Sequence, residues 1–379
     1  MTWWKIHILV LGASAALGVG LTYLARGLGR RLNFVDRPHR EAHKRHQNAT
    51  PLLGGVAIYA AWLATIVGGF IVAPLLAAGF SPDVSSLLGG LPIATPKLAR
   101  IAAGGAALVA LGLYDDWRPL PALAKLVGQT LVAGLIALGG IRITCFIENP
   151  PATWALTTLW IVFIINAVNF LDNMDALAGG CAAIAAFFFM VTAALRGQYF
   201  VSLMAAAVCG SAAGFLVYNR PPASVFMGDA GSHFLGYMLA VLGALTTFYS
   251  PADSPTLAPL LIPLLILAVP IFDAFAVVAI RHWEGRPLHK GDHAHISHRF
   301  QRLGLTRPRS VALILLLSVA IGAGAVTLLW LPPPGAAIVF LQAGAILVMV
   351  SLLHAGAVPA AGRPDAKAGP PAADPDRPC

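Results

Sequence analysis

Apolar runs long enough to cross a bilayer recur from one end of this 379-residue chain to the other, and that recurrence leaves little freedom in what it can fold into. Inside hydrocarbon, every backbone N–H and C=O must find its partner within the protein, so such a chain becomes a bundle of spanning helices. Composition agrees, with 58% hydrophobic and 11% charged residues, against roughly 25% charged in soluble domains. An all-α polytopic integral membrane protein follows, and a soluble domain with one oversized core is set aside.

Eleven spans are expected, over roughly 6–25, 52–75, 98–114, 121–140, 154–171, 176–195, 199–217, 232–249, 257–281, 310–331 and 336–356. Residues 1–356 then form one transmembrane domain, and the Pro/Ala-rich stretch 357–379 a disordered tail. The first segment has the apolar stretch and small residues of a signal peptide, but Lys5 precedes that stretch while Arg26, Arg30 and Arg31 follow it. That charge order favours an uncleaved span with its amino end outside. If the loop 26–51 is cytoplasmic, only Lys5, Lys97, Arg100, Arg142 and Arg196 of the 25 Lys and Arg residues lie outside. The positive-inside rule thus sets the amino terminus outside and the carboxyl terminus in the cytoplasm. The net charge of +9 reads as cytoplasmic loops facing anionic lipid or substrate, not as nucleic-acid binding. The four cysteines, Cys145, Cys181, Cys209 and Cys379, show no spacing of a disulfide framework.

Against that topology the unusual polar stretches fall on one side. They are "RPHREAHKRHQNATPLLGG" (37–55), "LYDDWRP" (113–119), "NAVNFLDNMDA" (166–176), "YNRPPASVFMGDAGSHF" (218–234) and "RHWEGRPLHKGDHAHISHRFQRLG" (281–304). The outer loops hold only the isolated Asp83, Glu148 and Asp253. A site facing the cytoplasm explains this segregation, and each cluster has a chemistry to offer it.

Asp115 and Asp116 end a helix before the breaker Pro119; adjacent helical positions point about 100° apart, so they are no two-pronged chelate, though both can reach a cavity at the helix terminus. A solvated helix end is the plain alternative. Asn166, Asn169 and Asn173 share a helical face beside Asp172 and Asp175, and amides with carboxylates suit a nucleotide or a cation; here the alternative is a polar helix end. Asp229, between Gly228 and Gly231, is presented as a hard metal would need, although G-D-x-G alone is often just a turn. His289, His293, His295 and His298 accompany Lys290, Arg299 and Arg302. They offer a zinc site or a clamp for phosphate oxygens, and the carboxylates elsewhere favour hard-cation and phosphate chemistry.

Taken in order, "KRHQNATPLLGGVAIY", "DDW", "NAVNFLDNMDALAGG", "FMGDAGS" and "DHAHISHR" resemble the motifs of the polyprenyl-phosphate N-acetylhexosamine-1-phosphate transferase superfamily (glycosyltransferase family 4). The undecaprenyl-phosphate GlcNAc-1-phosphate transferase branch is the nearer match, over roughly residues 30–305. The resemblance implies a reaction in the bacterial inner membrane. A UDP-sugar and undecaprenyl or another polyprenyl phosphate give polyprenyl-diphospho-sugar and UMP, with Mg²⁺ (or Mn²⁺), at the start of cell-envelope glycan synthesis. It also implies roles: Asp115 and Asp116 beside the acceptor phosphate, one of them the base; Asp229 and Asp172 for the metal. Asn169 and Asp175 would contact nucleotide or metal, and His295, His298 and Arg299 the pyrophosphate. Lys44, Arg45 and His46 would lie in a basic segment near the phosphates. A homodimer is compatible with the sequence but not specified by it.

The chain departs from the family pattern where Asn173 and Ala176 replace the glycines of "DGxDG", and where Ser297 replaces the middle histidine of His-Ile-His-His. Two competing functions remain. A phospho-MurNAc-pentapeptide transferase would end its motif in an "HHHFE"-like run, which is absent. An ion-coupled transporter would place its acidic residues near the bilayer midplane, whereas here they gather at one interface.

Overall fold

The computed structural model describes residues 3–36, 49–75, 89–143, 146–283, 285 and 295–356. Helix α1 (Trp3–Arg31) leads into β1 (Val35–Asp36), which pairs antiparallel with β2 (Thr50–Pro51). Next come α2 (Gly54–Leu75), α3 (Leu91–Trp117), α4 (Ala122–Leu138), α5 (Pro150–Leu171), α6 (Leu177–Leu195), α7 (Tyr199–Asn219) and α8 (Gly228–Leu245). A 3-10 turn (Ala258–Leu261) and α9 (Ile262–Ile266) run into α10 (Ala268–Trp283). The short α11 (Ile296–Arg302), α12 (Arg307–Thr327) and α13 (Pro333–Gly356) complete the order.

Each of the eleven expected spans falls on a helix, but the count is lower by length and hydropathy. Among the described residues eight helices are long and apolar enough to cross a membrane, and the pair through α9 and α10, bent by 71°, makes a ninth if counted as one span. The shortfall comes from α4, which is 17 residues long, and from α8. Helix α8 is buried without interruption from Ala230 to Leu242, enclosed by α2, α3, α5 and α6. A helix with no face towards lipid has no need of a lipid-like composition, and α8 therefore carries Asp229, Ser232 and His233 near its start. At the other extreme, 17% of the spanning window is buried in α1 and in α13, against 78% in α6; α1 and α13 turn apolar side chains such as Leu9, Leu24, Leu341 and Leu352 outward.

Small residues set how closely the central helices approach, as expected where packing rather than hydrophobic burial joins helices. A Cβ on Gly112 of α3 would overlap the backbone at Asp229 and Ala230, so α3 lies directly on the first turn of α8. The strand pair belongs to the same end of the bundle. Phe226 N–H donates to Pro51 O at 2.8 Å, and Gly54 and Gly55 N–H donate to Phe226 O and Met227 O, each at 3.0 Å. That end gathers the polar stretches around 113–119, 166–176 and 218–234, as the sequence led one to expect. At the opposite end the cross-links include Gln198, which bonds both the N–H and the C=O of Thr247 at 2.8 Å, Ile143 N–H, which donates to Thr157 Oγ1 at 2.9 Å, and Arg100, which donates to Gly139 O.

Candidate active site

Helix α3 stops at Trp117 because Pro119 and Pro121 cannot continue it, and this stop delivers Asp115 and Asp116 to the polar end. Their partners differ. Asp115 is buried and accepts from Leu120 N–H at 2.6 Å and from Lys125 Nζ at 2.9 Å. Asp116 accepts from the backbone N–H groups of Asp229 at 3.0 Å and Ala230 at 3.4 Å. It thereby satisfies orphan amides at the amino terminus of α8, where the helix dipole also favours an anion. "FMGDAGS", open to reading as a turn, is instead the entry into this helix. Gly228 takes φ 64° there, and a Cβ on it would overlap the Asp116 carboxylate.

Asp229 closes the cluster. Its Oδ1 accepts from Asn169 Nδ2 at 2.9 Å, and its Oδ2 from Lys125 Nζ at 3.2 Å. The other amide hydrogen of Asn169 reaches Ser232 Oγ at 2.9 Å. Lys125 thus bridges Asp115 and Asp229, yet three carboxylates face one ammonium. The excess negative charge calls for a further cation, and the donors on offer are hard oxygens. Among the described residues no three His, Cys, Asp or Glu side chains form a ready metal cage. That fits Mg²⁺, which takes one or two carboxylates and fills its remaining positions with water and phosphate oxygens.

Asp172 follows the last turn of α5, its N–H donating to Asn169 O. It keeps an open surface while protein crowds around it, as a group in the wall of a pit does. Loss of hydration, then the charges of Asp229 and Asp175, push its carboxyl up to about 7. For a side chain that still meets solvent, the neighbouring charges are the more secure part of that shift. Asp175 serves the backbone: it accepts from Ala223 N–H at 2.9 Å. Next to it Ala176 adopts φ 65°, and its N–H donates to Asn219 Oδ1 at 2.8 Å. These bonds brace the loop before α8.

The histidine motif reaches the cluster by another route. Ser297, fully buried, donates to Asn173 Oδ1 at 2.5 Å, which docks α11 on the acidic segment 172–175. His295 and Arg299 are buried beside it. His298 Nδ1 lies 3.2 Å from Gln301 Oε1 within its own helix. Lys44, Arg45 and His46, and likewise His289 and His293, lie outside the described residues.

Two charged residues here escaped notice in the sequence: Lys125, and Asp273, which is wholly buried on α10. Each is a lone charge inside an apolar run, and that alone is a functional signal in a membrane protein. A second polar tier also lies beneath the first. Asn166 Nδ2 donates to Gln129 Oε1 at 2.7 Å, and the Gln129 amide lies 3.2 Å from His233 Nε2. Each member is about one helical turn from a residue of the upper tier, on α4, α5 and α8.

Such a bundle, with carboxylates and a lysine concentrated at one polar end, defines a polytopic all-α membrane protein with a charged site at one end of its helices. The family model for glycosyl transferase family 4 matches residues 98–247, the stretch that contains Asp115, Asp116, Lys125, Asn169, Asp172 and Asp229. A probable undecaprenyl-phosphate N-acetylglucosaminyl 1-phosphate transferase of Bacillus subtilis is 31% identical over 316 residues, covering 81% of each chain. The decaprenyl-phosphate N-acetylglucosaminephosphotransferase of Mycolicibacterium smegmatis is 29% identical over 92% of this chain and 88% of its own. A phospho-N-acetylmuramoyl-pentapeptide-transferase of Geobacillus kaustophilus is 32% identical, over 63% of this chain and 75% of its own. The chain belongs to glycosyl transferase family 4 and is a membrane-embedded transferase.

Proposed function

We propose that the protein transfers a sugar-1-phosphate, an N-acetylhexosamine such as GlcNAc, from its UDP-sugar to undecaprenyl or another polyprenyl phosphate. The observation that carries this reading is the convergence of Asp115, Asp116, Lys125, Asn169 and Asp229 at one end of a lipid-embedded bundle. The relatives named for GlcNAc-1-phosphate transfer support the choice of sugar. An oxygen of the lipid phosphate bonds to the phosphorus bearing the sugar, the bond from that phosphorus to UMP breaks, and UMP leaves with the electron pair. Such a transfer depends on positioning and charge neutralisation more than on covalent help from the protein.

In this reading Asp229 and Asp172 hold Mg²⁺ (Mn²⁺ as a substitute), which when bound neutralises phosphate charge. Lys125 keeps Asp115 and Asp229 in place and offers its ammonium to phosphate oxygens. Asp115 is the better base of the acidic pair, because both oxygens of Asp116 are engaged by the amides of α8. Asn169 orients Asp229. His295, Arg299 and His298 face the donor pyrophosphate, joined there by Lys44, Arg45 and His46. The site opens to the cytoplasm of the bacterial inner membrane, where UDP-sugars are found.

The test is purified protein with undecaprenyl phosphate, Mg²⁺ and a panel of UDP-sugars, read as UMP release and lipid product. UDP-GlcNAc or a related UDP-N-acetylhexosamine is the expected donor. Turnover of UDP-MurNAc-pentapeptide alone would move the protein to the branch of its pentapeptide-transferase relatives, and no lipid product with any donor would overturn the reading.

A further inference from the structure

Asp273 is the only ionisable residue between Ser254 and Ile280. It is completely buried on α10, just past the 71° bend that breaks this span. A carboxylate in such a place is costly unless it is hydrogen-bonded and paired. Both of its oxygens are used, and both on the residues that open α11. Its Oδ2 accepts from His295 Nδ1 at 2.8 Å, and its Oδ1 from Ile296 N–H at 2.7 Å. The second bond satisfies an orphan amide at the start of α11; the first fixes the imidazole.

An ionised carboxylate only accepts, so His295 Nδ1 must carry its hydrogen. The other ring nitrogen, Nε2, then alone decides what the ring can do, and among the described residues it has no hydrogen-bond partner. Neutral, Nε2 offers a lone pair that a phosphate oxygen would repel. Protonated, it becomes a cationic donor suited to phosphate. Among the described residues, the other titratable groups near the pair include Cys181 from α6, and His298, Arg299 and Arg302 on α11, while Ser297 sets the acidic segment 172–175 against the same helix.

We propose that Asp273 is a positioning residue which fixes the ring of His295, its Nδ1–H on the carboxylate, so that Nε2 is presented to the donor substrate's pyrophosphate. This rests on the reading of His295 in the proposed function. The bonds on α10 also give the broken span a purpose, since its second half carries the anchor against which the histidine segment is set.

The experiment is steady-state kinetics across pH with UDP-GlcNAc (or the donor found active) for the wild type, Asp273→Asn, Asp273→Glu, His295→Ala and the double variant Asp273→Asn/His295→Ala. Asp273→Asn can still accept from Ile296 N–H but presents an amide, not a charge, to the ring. It should raise KM for the UDP-sugar and lower kcat/KM near neutral pH by roughly ten- to a hundredfold, the range for losing a charge-assisted bond. A merely structural role would lower the amount of active enzyme without raising KM for the UDP-sugar. Asp273→Glu should recover part of the loss, and the double variant should be no worse than His295→Ala. Additive losses in the double variant, or an unchanged KM for the UDP-sugar in Asp273→Asn, would overturn the proposal. Unimpaired His295→Ala would remove His295 from the site, and that failure is distinct because it appears in the single histidine variant. Should Asp273→Asn purify poorly, ¹⁵N-histidine NMR of the wild-type protein in detergent decides: an Nδ1–H imidazole or an imidazolium at His295 supports the proposal, and an Nε2–H neutral ring refutes it.

Discussion

Asp229 receives two side-chain hydrogen bonds, one from the amide of Asn169 and one from Lys125, and its charge acts on the neighbouring carboxylate of Asp172. Replacing it with Asn keeps the shape and removes the charge, so Asp229→Asn should lower kcat by about 10²- to 10⁴-fold, the scale of losing an essential charged group, while the protein still inserts and purifies. Asp172 adds a pH dependence. With its carboxyl near 7 in the absence of a cation, proton and Mg²⁺ compete for it, so apparent Mg²⁺ affinity should rise as pH increases through about 7 and flatten in Asp172→Asn. Mg²⁺ titrations at several pH values, followed by activity and by thermal shift, check this; a pH-independent affinity would exclude Asp172 as a ligand. At Ser297 the family motif would have a histidine, but the serine is fully buried with its hydroxyl on Asn173. Ser297→His therefore overfills the contact between α11 and the acidic segment, and kinetics should show reduced activity. The sequence made Asp229, Asn169 and Asp172 readable because polar groups clustered beside an apolar run need a reason. Lys125 and Asp273 carried the same signal but stood singly. The backbone-directed bonds of Asp116 and Asp175 could not be read at all, since their partners lie more than 40 residues away in another loop.

At the scale of elements, the site depends on how α3 and α8 meet. Gly228 is where that meeting is most demanding, because φ 64° and the space taken by Asp116 both exclude a side chain. The left-handed conformation costs a non-glycine residue roughly 1–2 kcal/mol, and the overlap with the carboxylate adds to it. Gly228→Ala should therefore displace Asp116 from the amides of α8, cutting activity sharply with only a modest loss of thermal stability in detergent. Unchanged activity would mean that the Asp116 cap is dispensable. The same elements show where sequence periodicity runs out. The expected span 232–249 lies four residues beyond the start of α8 because "FMGDAGS", with its two glycines, carries the local marks of a turn. Only the docking of Asp116 on those amides makes it a helix start. The break between α9 and α10 was hidden for a similar reason: an apolar run of spanning length looks the same straight or bent by 71°.

For the whole molecule, the segregation of polar stretches was the most legible property, and the geometry confirms that those from α3, α5 and α8 share one end. Which side of the membrane that end faces rests on charge. Of 25 Lys and Arg residues, five lie on the loops assigned outside, and a positively charged loop is retained on the cytoplasmic side during insertion. The count of spans matters equally, since α4 and α8 fall short of an ordinary span in length or hydropathy. If either failed to cross, every later loop would change sides. The contacts argue that both cross. Lys125, near the start of α4, meets Asp229 at the polar end, while Gly134 O near its other end accepts from Trp154 Nε1 at the start of α5. Asp229 opens α8 at the polar end, and Thr247, just past its close, bonds Gln198 at the opposite end. Reporter fusions after Asp83 and after Glu148 should therefore report the periplasm, and fusions after Arg118 and at Ala357 the cytoplasm. A cytoplasmic signal after Glu148 would mean that α4 does not cross, and it would place the start of α5 beside the carboxylates instead of across the membrane from them. The fusion at Ala357 tests the sum of all crossings, so a periplasmic signal there, with the earlier fusions as expected, would locate the error between α5 and α13.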